Sequence, residues 1–206
     1  MTINAHARWR PPLTFLLAVL VSIFAFAVLL IDPMPKLIRP VSVAVRYGYT
    51  LTVPLVLGAL LLAYRPHKWI GALTALFATV VLFGLGLNGL WESVQSEPAV
   101  ISGLLPWADS SAYYLDALGW LQGFRFGEMS TMRPMFTALL SLLLSLTGKN
   151  LQASLAVLTL LTAVSAFFYG QKVKETLGFF PAALALLLVF LYARRINGAT
   201  LTENLG

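Results

Sequence analysis

In this 206-residue chain, which contains no cysteine and only two histidines, His6 and His67, the foremost candidates for chemistry are carboxylates and guanidinium groups. This composition excludes thiolate chemistry and leaves too few imidazoles for a His-rich metal site. Of eight Asp and Glu residues, five (Glu92, Glu97, Asp109, Asp116 and Glu128) fall in positions 92–133, with only two of the fourteen Lys and Arg, Arg125 and Arg133. A carboxylate can act as a general base or hold a cation, and a guanidinium can grip a phosphate with two parallel hydrogen bonds. Asp109 is the first candidate. Asp116 follows two helical turns later on roughly the same face, where it either joins Asp109 in an acid/base or metal pair or is a solvated side chain. Arg133 borders an apolar run, and reads either as a phosphate ligand or as a span-flanking anchor whose charge snorkels to the interface. Arg194 and Arg195 admit the same two readings. Glu92, Glu97 and Glu128 read as loop solubility. With no glycine-rich phosphate loop of Walker or dinucleotide type, a nucleotide-driven pump is disfavoured.

The elements that must position these residues are membrane helices. Hydrophobic residues make up 59% of the chain and charged residues 11%, with a mean hydropathy of +0.83, whereas a soluble domain carries about 25% charged residues. Uncharged runs cover 13–31, 47–64, 69–91, 134–148, 150–171 and 177–193. About 20 helical residues cross about 30 Å of hydrocarbon, and helices satisfy their own backbone groups in lipid. The pattern predicts an all-α, polytopic transmembrane bundle of about six apolar helices, with run 134–148 short for a full crossing. The first run reads as a retained helix, since Asp32 and Pro33 make no small-residue cleavage site. Gly58, Gly71, Gly84, Gly86 and Gly89 are expected to let neighbouring helices approach closely. The net charge of +6 belongs to residues flanking spans, so the expected partner is the bilayer and not nucleic acid. Residues 1–68 are expected to form an N-terminal helix pair, and 69–206 a module built around the acidic loop 92–133.

The acidic loop suits the outer face, although six full crossings leave seven basic residues on each side, so the positive-inside tendency does not decide the orientation. Inside it, Ala112, Leu115, Leu118 and Leu121 recur at helical spacing and Gly123 ends the pattern. Trp107, Tyr113, Tyr114 and Trp120 suit a short helix lying in the headgroup zone. Asp109 stands where an N-cap stands. It has two readings at this point, a helix cap and a catalytic carboxylate.

The order Pro106-Trp107-Ala108-Asp109-Ser110-Ser111-Ala112-Tyr113-Tyr114, then Ala117, Leu118 and Gly123, then Arg133-Pro134 opening an apolar helix, resembles the first outer loop of the GT-C class of integral membrane glycosyltransferases. Thr200-Leu201-Thr202-Glu203-Asn204-Leu205 is similar to the second acidic segment of that class. The class includes protein O-mannosyltransferases and aminoarabinose transferases, which take a sugar from a polyprenyl-phosphate carrier. The resemblance spans 69–206 and departs from the class in Met135, where a second proline is common, and in Ser110, where some members have a second acid. It implies transfer of a sugar from a polyprenyl-phosphate donor to an acceptor at the outer face of a bacterial cytoplasmic membrane. Asp109 and Glu203 would be the catalytic carboxylates, with Arg133, Tyr113 and Asp116 binding substrate and a divalent metal ion held, if at all, at Asp109. Because the class has many further spans, it also implies that this chain is the N-terminal part of a longer enzyme. For Glu203 to share a face with Asp109, run 134–148 must not cross fully. The alternative is a non-catalytic multispanning protein, a transporter half or a partner subunit. A transporter is expected to carry ionisable residues inside its spans, and none interrupts the six runs.

Overall fold

The computed structural model describes residues 13–66, 68–97 and 100–196. Nine helices and one small hairpin lie among them: α1 (Leu13–Leu30), α2 (Met34–Tyr47), α3 (Thr52–Tyr64), α4 (Lys68–Ser93), β1 (Val100–Ile101), β2 (Leu105–Pro106), α5 (Asp109–Trp120), α6 (Glu128–Met132), α7 (Pro134–Leu146), α8 (Leu151–Leu177) and α9 (Phe179–Ile196). The all-α expectation holds, and the protein has helices suited to an integral membrane protein.

Among the described residues, fewer helices are long enough for a full crossing than the six apolar runs suggest. Two helices, Ile70–Ser93 and Leu151–Leu177, are long and apolar enough to cross a membrane, and a third span is added if Phe15–Leu30 and Met34–Tyr47, bent by 96° against each other, count as one. The shortfall arises where backbone turns consume the ends of the runs. Run 47–64 gives up its first residues to the bend before Thr52 and keeps 13 helical residues. Run 134–148 also yields 13, about 20 Å at 1.5 Å per residue.

Segment 34–47, with its three cations and two prolines, falls largely between apolar runs 13–31 and 47–64. It is the helix α2, with Pro35 near its start, where a missing N–H costs nothing, and Pro40 inside. Its buried residues, Pro35, Ser42, Val45 and Arg46, recur at helical spacing, but half of that face is polar. An apolar periodicity cannot reveal such a helix.

The main core is organised around α4. Phe26 of α1, Val45 of α2, Leu60 and Tyr64 of α3, Val80 and Phe83 of α4, Phe167 of α8 and Phe190 of α9 are buried in one cluster, so it draws on residues from both sides of position 68. Close packing occurs where α4 has no side chain to keep its neighbours away. A Cβ at Gly84 would meet Phe26, one at Gly86 would meet Phe190, and one at Gly89 would run into the Ser42 carbonyl oxygen. Gly58 faces open space and plays no such part. Asn150 caps α8 by accepting from the Ala153 N–H at 3.0 Å. A second, smaller cluster of Tyr113, Ala117, Phe136, Leu140 and Leu144 joins α5 to α7.

Candidate active site

Loop 92–133 is built as a hairpin followed by two helices. After α4, Glu97 and Val100 exchange backbone hydrogen bonds of 2.8 and 3.1 Å. Val100 then pairs with Pro106 and Ile101 with Leu105 in an antiparallel ladder. Gly103, at φ +71, lies against the Leu90 carbonyl, where any Cβ would clash. Ala108 leads into α5 with φ 53 and ψ −133, a sparsely populated backbone state for a residue with a Cβ.

Ala108 holds the N-cap position and makes no side-chain capping bond, so Asp109 begins α5 as its first helical residue. The capping reading of Asp109 is thereby corrected. Helix entry is closed instead by the Ser111 amide and hydroxyl, which both donate to the Ala108 carbonyl, at 3.0 and 2.6 Å. Asp109 is half-buried, and among the described residues its carboxylate has neither an ion pair nor a hydrogen-bond partner. It sits in the first turn, where the helix dipole favours a negative charge.

The direction of α7 decides what stands near it. Tyr113 packs edge-on against Phe136 with ring centroids 5.8 Å apart. Further along both helices, the Ser141 hydroxyl donates to the Ala117 carbonyl at 3.2 Å. Both contacts advance in the same chain direction, so α5 and α7 lie side by side and parallel. Asp109, one turn before Tyr113, and Arg133, just before Phe136, therefore begin the two helices at a common end. Arg133 is exposed and likewise has no ion-pair partner among the described residues. Parallel neighbours require the connection to run back the length of α5, and Asp116 holds that return. Its Oδ2 accepts from the Gly127 N–H at 3.1 Å, and a Cβ at Gly127 would press on the same carboxylate. Asp116 is thus engaged with the loop backbone. Tyr113 is 1% exposed, and its ring belongs to the α5–α7 packing.

Glu203 and segment 200–205 lie outside the described residues, as do the side chains of Arg194 and Arg195. Among the described residues, no three His, Asp or Glu side chains come together as a metal site would require.

The residue misjudged from sequence is Glu97. Rather than a solubilising loop residue, it accepts from Arg46 Nη2 at 2.9 Å through each carboxylate oxygen, from Arg46 Nε at 3.2 Å and from the Tyr47 hydroxyl at 2.7 Å. The Arg46 side chain is 2% exposed and that of Glu97 14%. Ser93 Oγ donates to the Tyr47 oxygen at 3.3 Å, and Asn88 Nδ2 donates to Ser42 Oγ at 3.0 Å. An available signal was the recurrence of Ser42 and Arg46 one turn apart in a segment bordered by apolar runs. No family model, curated protein or solved structure matches this chain.

Proposed function

We propose that this chain is a membrane glycosyltransferase module that takes a sugar from a polyprenyl-phosphate carrier, with Asp109 as the base that deprotonates the acceptor and Arg133 as the phosphate ligand. The observation that carries the reading is the common end of the parallel α5–α7 pair. It brings a carboxylate and a guanidinium, neither with a partner among the described residues, to the starts of two neighbouring helices. Transfer from a lipid phosphate needs a base for the acceptor proton and positive charge for the departing phosphate. Arg133 and the two helix N-termini supply that charge. Near this end Trp107, Met132 and Met135 are exposed, an apolar surface suited to the headgroup zone in which a lipid-linked sugar travels. On this reading loop 92–133 faces outward, the apolar runs beyond the two or three long helices insert as shorter or incomplete spans, and Glu203 joins the site because α7 is too short for an independent crossing. Asp109 by itself does not make a metal site, and no step runs through one.

The test is Asp109→Asn in the complete protein in vesicles supplied with a polyprenyl-phosphate sugar. Asp109 makes no capping bond, so the change should cost no more than its interaction with the helix dipole, about 0.5 kcal/mol, and should abolish transfer. Transfer at the parental rate would refute the role given to Asp109.

A further inference from the structure

We infer that Arg46 is a positioning residue for the Asp109 site, and that helix α2 holds the acidic loop in place through it. The inference rests on the reading of Asp109 given above. Two attachments fix the hairpin that precedes Asp109. At its base, Glu97 receives three hydrogen bonds from Arg46 and one from Tyr47, and its backbone pairs with Val100 at the foot of β1. At its tip, Gly103 rests on the last turns of α4. From β2 only Trp107 and Ala108 intervene before Asp109, and the Ala108 carbonyl is engaged by Ser111, so little chain is free to absorb a displacement.

Arg46 is in turn held from behind. A Cβ at Gly89 would meet the Ser42 carbonyl and the Arg46 Cβ, so α2 and α4 touch nearly backbone to backbone at this point. A two-oxygen guanidinium–carboxylate contact fixes orientation as well as distance, which a single flexible ammonium does not. A pair with so little exposure is a poor choice for stability alone, because both charges lose their water. Its geometric consequence is to reference the carboxylate of Asp109 to α2 and α4, outside the loop that carries it.

The absence of native cysteines allows a direct distance measurement on the whole chain. Spin labels are placed at Leu105→Cys on the exposed side of β2 (Leu105 is 63% exposed) and at Lys172→Cys, an exposed position on α8. We expect a narrow distance distribution in the parent, a broadened one in Arg46→Ala, and an intermediate width in Arg46→Lys. The milder Tyr47→Phe, which removes one hydroxyl, should broaden it slightly and covers the case in which Arg46→Ala does not insert. In the complete protein, kcat for transfer should fall by on the order of tenfold to a hundredfold in Arg46→Ala, with KM for the lipid-linked donor nearly unchanged and partial recovery in Arg46→Lys. Parental widths in Arg46→Ala, or in Tyr47→Phe where the alanine variant is lost, would overturn the inference, as would a broadened distribution with parental kcat. If Asp109→Asn proves active, the reading of Asp109 fails while the label distances still show whether α2 holds the hairpin.

Discussion

The seam between α2 and α4 and the pair formed by α5 and α7 use opposite means to hold a helix in place. At the seam, Gly89 lets two backbones touch, and the contact is closed by Asn88 with Ser42 and by Arg46 with Glu97. Between α5 and α7 the closure is apolar, through Tyr113, Phe136, Leu140 and Leu144, while Asp109 and Arg133 at its end are unpaired among the described residues. Charge is spent inside the first region and left available in the second. On the function proposed above, the residues that meet a substrate are those of the α5–α7 end, although the α2–α4 seam has the more extensive polar network.

The largest effect that would separate the two regions is expected from Arg46→Ala, which leaves Glu97 with an uncompensated, largely buried charge. Breaking such a pair costs about 3 kcal/mol or more, read as a lowered thermal midpoint in detergent. Removing both partners together, as Arg46→Met with Glu97→Leu, should cost clearly less, and an equal cost would show that the seam does not depend on charge. Leu144→Ala, at a side chain of the second cluster that is 0% exposed, should cost about 3 kcal/mol. It should also raise hydrogen exchange in α5 and α7 and leave α2 protected; loss of protection in both would merge the regions into one cooperative unit.

Gly89→Ala tests close approach itself. The methyl group would meet backbone, which cannot swing aside, so a loss of about 2 kcal/mol is expected, whereas Gly58→Ala, facing open space, should be neutral or stabilising. Asp116→Ala removes one exposed hydrogen bond to Gly127 and should cost about 1 kcal/mol, visible as faster exchange of the Gly127 amide. The smallest effect belongs to Lys36→Ala. Its pair with Asp32 has both side chains at least 66% exposed and should be worth less than about 0.5 kcal/mol in an unfolding midpoint.

Helix α5 was legible because Ala112, Leu115, Leu118 and Leu121 mark a 3.6-residue period and Gly123 marks its stop. In the structure it runs from Asp109 to Trp120. Its inner face was not legible: Tyr113 and Ala117 turn to α7, whereas Leu115 and Trp120 stay exposed. Aromatic and aliphatic residues alternate around this helix without a clear polar side, so which face finds a partner depends on where α7 lies. The small residues of α4 announced close packing, and Gly84, Gly86 and Gly89 deliver it to three different neighbours. The second-run Gly58, of the same residue type, does not.

Composition alone determined that this protein is helical and suited to a membrane, because a chain with 11% charged residues has too little polar surface to cover a water-soluble core, and lipid tolerates only backbones that satisfy themselves. The same sequence singled out Asp109 and Arg133 by residue type and by their places at the starts of apolar or amphipathic segments. Tertiary structure decided that these two begin parallel helices at one end, that Asp116 is taken up by the loop backbone, and that Glu97 answers Arg46 from fifty-one residues away. The physical reason is the range of the interactions. Burial and helical period act between near neighbours in the chain and leave a mark in its pattern, whereas an ion pair between distant residues exists only after helices have packed.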